Sequence, residues 1–397
     1  MKKVALSLAG VLAAAAFAPE AAAVPAFARQ TGMACSACHA QHFPILNGFG
    51  RAFKAAGFTM MGSQEKIEGE HISLPATMNM GQLLKLRYQK TNGVAGTPSG
   101  VDTNGGEWQL PDEYALFVGG RMADAGNLKV GMMAENALGG TDVGIAAGLR
   151  VAVVYETDAM KLSVIPFITD GLGPFYGYSE SSAGVVRSIR WGEHRKEISA
   201  AQYTGLGDNE ASGIAMLAHT DMGYINVTRY SPTFVTAIQM ASTAIDVAVT
   251  PTVADMATIF SAQMITGDSF LADGTPVTTK GAGFSAQAHG EVAGMEAGFY
   301  GQYAKTDAGS YVGNAVNAVE KKAFTLGAEF TVVPHTVHLG AAVRSAQKGT
   351  VNDNAYTFLA TYDLAQNAAL VVNFTKYQIA QGSNGDTLFT GMLEAAW

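Results

Sequence analysis

The chain has 397 residues, with 25 Lys and Arg against 33 Asp and Glu; a formal net charge of −8 excludes the basic surface that nucleic-acid binding needs. Apolar residues make up 48% and charged residues 15%, well under the roughly 25% charged of an average soluble domain. Beyond residue 23 no apolar run is long enough to cross a bilayer as a helix, so a membrane protein of this composition must close a β-barrel, the other fold that pairs every backbone group in lipid.

Met1, Lys2 and Lys3 give a basic start, residues 4–18 are an apolar run, and Ala21, Ala22 and Ala23 are small. That order predicts a signal peptide over 1–23, cleaved before Val24, and export from the cytoplasm.

Next comes Cys35-Ser36-Ala37-Cys38-His39, the attachment pentapeptide of a c-type haem. At this spacing Cys35 and Cys38 can each form a thioether to a haem vinyl group, and His39 falls beneath the iron as its proximal ligand. The rival readings are weaker. A disulfide across two intervening residues closes a tiny loop and stabilises little. A thioredoxin-like pair expects a βαβ surround, and a zinc site lacks a second ligand pair. These are the chain's only two cysteines.

For the opposite face of the iron, His42 is a poor candidate, because a helix would put it on the same side as His39. A helix over 43–56, ending at Gly57 as a C-cap, would let the returning chain lay Met60 across the open face. Met60 is thus the expected second iron ligand, with Met61, Met33, His71, Met78 and Met80 as alternatives. A His and Met pair raises the reduction potential. Phe27, Phe43, Phe49 and Phe53 are candidates to wall the haem, and Arg29, Arg51 and Lys54 to pair with its propionates.

From about residue 76 every second residue turns apolar. Leu84, Leu86 and Tyr88 alternate with Lys85, Arg87 and Gln89. Phe324, Leu326, Ala328, Phe330 and Val332 alternate with Thr325, Gly327, Glu329 and Thr331. The same period recurs in 295–303 and 356–364. Candidate strands fall at 76–91, 113–122, 125–137, 144–157, 160–169, 184–204, 211–221, 223–231, 233–243, 256–266, 281–292, 295–306, 321–333, 336–347, 354–364, 368–379 and 387–397. Bacterial barrels use even strand numbers, so about sixteen are expected, with short links at the periplasm and long ones outside. Tight links are expected at Gly294 and at Pro334 and His335, long ones at 91–106 and 307–319. The last strand puts Leu393, Ala395 and Trp397 on one face and ends on an aromatic. The chain thus divides into a signal peptide (1–23), a monohaem cytochrome segment (24–70) and an outer-membrane barrel (71–397).

The run Pro25-Ala26-Phe27-Ala28-Arg29-Gln30-Thr31-Gly32-Met33, the haem motif, then Phe43-Pro44, Leu46, Phe49-Gly50-Arg51, Phe53-Lys54 and Gly57-Phe58 resembles the N-terminal signature of the fused cytochrome–porin outer-membrane iron oxidases. The likeness covers about 35 residues; the remainder agrees in length and barrel character. It implies one covalently attached haem c on a barrel of about sixteen strands, oxidation of extracellular Fe(II), and single electrons passed to a periplasmic cytochrome or similar carrier. Carried over, Cys35 and Cys38 bind the haem and His39 is the ligand at which the redox step occurs. The acidic residues Asp102, Glu107, Asp112 and Glu113 are candidates for attracting Fe(II), or simply solvated loop charges. The cluster Arg187, Arg190, Glu193, His194, Arg195, Lys196 and Glu197 is either a lumen constriction or an exposed loop. Two other functions fit the same elements: a haem conduit for another extracellular donor or acceptor, and a diffusion porin with a haem plug.

Overall fold

The computed structural model describes residues 25–41, 45–62, 64–70, 72–93, 104–140, 147–180, 199–207, 209–234, 239–365, 367–380 and 385–397. The expected signal peptide, His42, Phe43, Pro44, His71, Asp102 and the charge cluster from Arg187 to Glu197 lie outside these residues.

Sixteen antiparallel strands close a barrel. They are β1 (Met80–Thr91), β2 (Glu107–Ala125), β3 (Leu128–Gly140), β4 (Gly148–Glu156), β5 (Lys161–Thr169), β6 (Ala211–Thr220), β7 (Gly223–Ser231) and β8 (Ser242–Val249). Then follow β9 (Met256–Phe270), β10 (Pro276–Val292), β11 (Met295–Thr306), β12 (Lys321–Val333), β13 (Val337–Lys348), β14 (Ala355–Ala365), β15 (Ala368–Tyr377) and β16 (Thr387–Ala396). Each pairs with its sequence neighbours, and β16 closes on β1 from Leu388 opposite Thr91 to Ala396 opposite Leu83. Gln82 and Trp397 complete the seam by exchanging both backbone hydrogen bonds, at 2.8 and 3.0 Å. Closure leaves no open edge, which lipid requires.

The wall is inverted relative to a soluble protein. On β10, Ala282, Phe284, Ala286 and Ala288 point outwards, while Ser285, Gln287 and His289 are buried towards the lumen. Phe284 and Phe358 are each 59% exposed, yet Gln89 and Glu329 are 0%. Water would penalise that arrangement, whereas a hydrocarbon exterior with a polar lumen favours it. The alternating faces expected on β1, β11, β12 and β14 are the ones observed.

All the tight links lie at one end. Ala293 and Gly294 join β10 to β11 with φ of +53° and +79°, the pair of positive values that a two-residue hairpin needs and that favours Gly. The long links, including 92–106, 170–210 and 307–320, lie at the other end.

Two expected strands are corrected. The segment placed at 233–243 forms instead at Ser242–Val249. Pro232, which lacks an N–H, follows the last residue of β7, and the true strand puts the apolar Ala244 and Ala248 on the lumen face beside Asp246, which blurs its alternation. The strand expected at 184–204 is replaced over its described part by a short helix, α3 (Ala200–Thr204). It ends at Gly205 in the left-handed conformation.

Before the barrel stand α1 (Pro25–Thr31), α2 (Gly48–Ala55) and a two-stranded hairpin, Lys66–Gly69 with Ile72–Pro75. The helix expected over 43–56 is shorter: Asn47 caps it by accepting the Gly50 N–H at 2.9 Å. Its end is as expected, with Gly57 at φ +66°. The domain boundary expected at 70/71 falls in the turn of the hairpin, and the barrel itself starts at Met80.

The segment 25–62 lies inside the barrel, against lumen-facing residues. A Cβ on Gly57 would meet Ala152 and Val154 of β4 at 3.0 and 2.9 Å, and one on Gly131 would meet the Gly57 carbonyl at 1.8 Å. From the opposite end the β5–β6 link folds inwards. Phe175, Tyr176 and Tyr178 join Ala55 of α2 and the lumen-facing Ala152, Val154 and Ile165 in one apolar cluster.

Candidate functional site

The motif folds as one tight turn. Cys35–Ala37 form a 3-10 helix, and the Cys35 carbonyl accepts from both Cys38 N–H (3.1 Å) and His39 N–H (3.0 Å). Residues 38–40 pair antiparallel with 45–47: Asn47 N–H donates to Cys38 O and Ala40 N–H to Ile45 O, each at 2.9 Å, around a bridge between His39 and Leu46.

Neither cysteine is in a disulfide, and both are half-buried. Burial pushes the Cys35 thiol up to about 11, with the Asp363 carboxylate adding in the same direction, and burial also raises Cys38. The two cysteines stand at either end of one short turn, with His39 directly after it. Among the described residues no cluster of three or more His, Cys, Asp or Glu is arranged to hold a metal ion.

His39 is aimed by its neighbour. Its Nδ1 lies 3.3 Å from the Ile45 carbonyl. Donation to that oxygen selects the tautomer with its lone pair on Nε2, the usual arrangement behind a metal-ligating imidazole. Ile45 is 1% exposed and belongs to an apolar cluster with Tyr300, Ala342 and Leu359 of the barrel wall. The wall thus fixes Ile45, and Ile45 fixes the imidazole. Gln41 adds a second anchor, donating to the Glu329 carbonyl at 3.2 Å and to Thr331 Oγ1 at 3.4 Å. Thr331 lies 3.0 Å from His338 Nδ1, and His338 Nε2 lies 2.8 Å from Asp363. These anchors sit near the tight-turn ends of β12, β13 and β14, so the motif lies towards that mouth of the lumen.

Met60 stands against a different wall. Gln30, 0% exposed, donates to the carbonyls of Phe58 (2.6 Å) and Met60 (2.8 Å), while its Oε1 accepts from Asn79 Nδ2 (3.0 Å) and Arg121 N–H (2.9 Å). It thereby ties α1 and the returning strip to β2. A Cβ on Gly120 would lie 2.0 Å from Gln30 Oε1, and one on Gly62 would lie 1.8 Å from the Thr31 carbonyl. Met33, Met78 and Met80 are exposed side chains near the same strip. Replacing Gln30 by Leu will leave several of these groups unpaired at about 1–3 kcal/mol each. The expected outcome is a segment 25–62 that proteases cut while the barrel remains heat-modifiable on gels.

Several site expectations change. Phe27 and Phe53 do not wall an open pocket: Phe27 stacks on Phe58 at 4.7 Å and meets Phe53 edge-on at 5.3 Å. The three rings form the core of the plug itself, and among the described members of the expected set only Phe49 is exposed. Arg51 and Lys54 also have other work. Arg51 donates to the Leu46 carbonyl at 3.0 Å and faces Glu180 at 3.9 Å. Lys54 donates to the Ser179 carbonyl and lies over the Tyr178 ring. Arg29 donates to the Met80 carbonyl. Glu107, Asp112 and Glu113 are not loop charges but residues of β2. Asp112 pairs with buried Arg87 at 2.6 Å, and Glu113 pairs with Lys85.

Sequence reasoning did not single out Asn47, Gly50, Ile45 or Gln30 as site residues. Only Asn47, an Asn directly before a Gly-led helix, carried a local signal.

No family model matches the chain, and no curated protein matches it. Solved structures do. OmpT of Vibrio cholerae, an outer-membrane protein in its trimer form, is 12% identical with a TM-score of 0.52, over 81% of this chain and 99% of that one. The outer-membrane channel DcaP of Acinetobacter baumannii is 10% identical with a TM-score of 0.52, over 81% and 97%. At these identities the likeness establishes a porin-like barrel fold.

Proposed function

We propose that the chain is an outer-membrane electron-transfer protein that oxidises extracellular Fe(II) and delivers single electrons to a periplasmic carrier. The observation that carries this reading is the turn itself: two cysteines on one 3-10 turn and an imidazole oriented through Nδ1, inside a closed barrel. In this reading Cys35 and Cys38 would hold one haem c and His39 would ligate its iron, with Met60 the candidate for a sulfur ligand. Bound there, the group supplies a one-electron couple, whose potential a Met ligand raises.

The chain's own residues supply position and exclusion. The Ile45 carbonyl orients His39, Gln41 and Ile45 hold the motif on β11–β14, and the plug meets the inward link inside the barrel. With tight turns at the periplasm, the motif faces the side where a soluble carrier docks. The insulating strands keep the insoluble product of iron oxidation outside.

Anaerobic stopped-flow mixing with Fe(II) tests the assignment. Rapid appearance of the reduced haem spectrum is expected. A haem that stays ferric under excess Fe(II), yet is reduced by another donor, would leave a conduit for that donor. Rapid liposome swelling with sugars would favour a diffusion porin.

A further inference from the structure

We propose that Asn47 is the positioning residue of the haem-attachment turn; this rests on the haem reading above. One side chain bonds both to the motif and to the start of α2. Its Oδ1 accepts the Gly50 N–H at 2.9 Å, and its Nδ2 donates to the Ala37 carbonyl at 3.0 Å and the Ser36 carbonyl at 3.3 Å. Its backbone N–H donates to the Cys38 carbonyl at 2.9 Å. Ser36, Ala37 and Cys38, the two residues between the cysteines and the second cysteine, are therefore all fixed by one amino acid.

The chemistry singles out an amide. The helix start offers an N–H and needs an acceptor; the motif offers carbonyls and needs a donor. Asn supplies both from one planar group, and the Gly50 bond decides which end faces the motif. Asp would keep the cap but set a carboxylate oxygen against two carbonyls. Ser would cap the helix but is too short to span the same gap. Gly50 completes the joint, because a Cβ there would lie 2.1 Å from the Cys38 carbonyl.

Two effects follow. The cysteine pair is held in a ready-made turn, so less backbone entropy is lost when both thiols react. The antiparallel pairing that places the Ile45 carbonyl behind His39 Nδ1 is pinned at its Asn47 end, so the imidazole is held in one orientation.

The test uses the full-length protein exported in a host that matures c-type cytochromes, as wild type, Asn47→Ala and Asn47→Asp. Three quantities are read: covalent haem per folded barrel, the reduced-to-oxidised ratio at a fixed applied potential, and the g values of the oxidised haem's electron paramagnetic resonance signal. We expect both variants to keep the heat-modifiable barrel and to lose haem several-fold. In their haem-bearing fraction the redox ratio should change several-fold and the g values should shift or spread. Asn47→Asp retains the helix cap, so a change in that variant separates positioning of the motif from helix stability; it also decides the matter if Asn47→Ala does not accumulate. Variants matching a haem-loaded wild type in all three readouts would overturn the role of Asn47 alone. A wild type without haem would overturn the haem reading and this role with it.

Discussion

Replacing both Cys35 and Cys38 by serine will abolish covalent haem and reduce Fe(II) oxidation to the rate of the buffer, while the barrel assembles as before. The expectation of an intact barrel follows from packing. Both cysteines are only half-buried, neither belongs to an apolar cluster of the wall, and no disulfide depends on them. The sixteen strands close through backbone pairing and the β16–β1 seam, far in sequence from the motif. The effect should therefore fall wholly on the cofactor. His39→Ala separates attachment from ligation: both thioethers can still form, but the imidazole held by the Ile45 carbonyl is gone. Haem staining of the denatured chain should persist in His39→Ala and vanish in the double serine variant. Equal haem staining in the double serine variant and the wild type would refute thioether attachment.

The second large effect concerns the lumen. Plug and inward link meet at Arg51 and Lys54 on one side and Tyr178, Ser179 and Glu180 on the other. The Glu180 side chain is fully buried, with Arg51 Nε at 3.9 Å, His219 Nε2 at 3.4 Å and the Tyr178 hydroxyl as a hydrogen-bond partner. Lys54 sits 5.2 Å from the Tyr178 ring centre. Burial pushes the Lys54 amine down to about 7, with Arg150 adding to the effect and Glu180 opposing it. Removing one partner from a buried ion pair typically costs about 3–5 kcal/mol, because the other charge is stranded. An Arg51→Ala/Lys54→Ala double variant should thus free the plug from the link. In planar bilayers we expect the wild type to conduct poorly and the double variant to conduct several-fold better, without loss of the barrel. Equal conductance in the two would show that this contact does not close the lumen.

The barrel was legible because its signal is local and repeated. A period of two that puts Phe324, Leu326 and Val332 on one face and Thr325, Glu329 and Thr331 on the other needs no knowledge of partners, and the lipid makes it sharp. It failed at β8, where Ala244 and Ala248 stand on the lumen face in place of polar residues; Asp246 between them keeps the pattern, with the Tyr224 hydroxyl 2.7 Å away on the neighbouring strand. The turn at residues 35–39 is local for a similar reason, since five adjacent residues form it. Its surroundings are not. Phe27 and Phe53 read as pocket walls until Phe58 is seen stacked on them. Arg51 and Lys54 read as cations awaiting an anion until the link from beyond residue 170 folds in over them. Glu107 and Asp112 read as loop acids because the loop was placed some residues too far along. Gly120 looks like any strand glycine, yet it makes room for the Gln30 side chain some 90 residues earlier. Contacts between a plug and the wall that encloses it are long-range by construction, and no local periodicity encodes them.

The most direct test is the mass and absorption spectrum of the exported protein, purified from a host able to mature c-type cytochromes and unfolded before measurement. The account predicts a chain heavier by one haem, with a peptide spanning Cys35 to His39 carrying it and a c-type spectrum that survives unfolding. A colourless chain of unmodified mass, with both thiols open to alkylation, would contradict it.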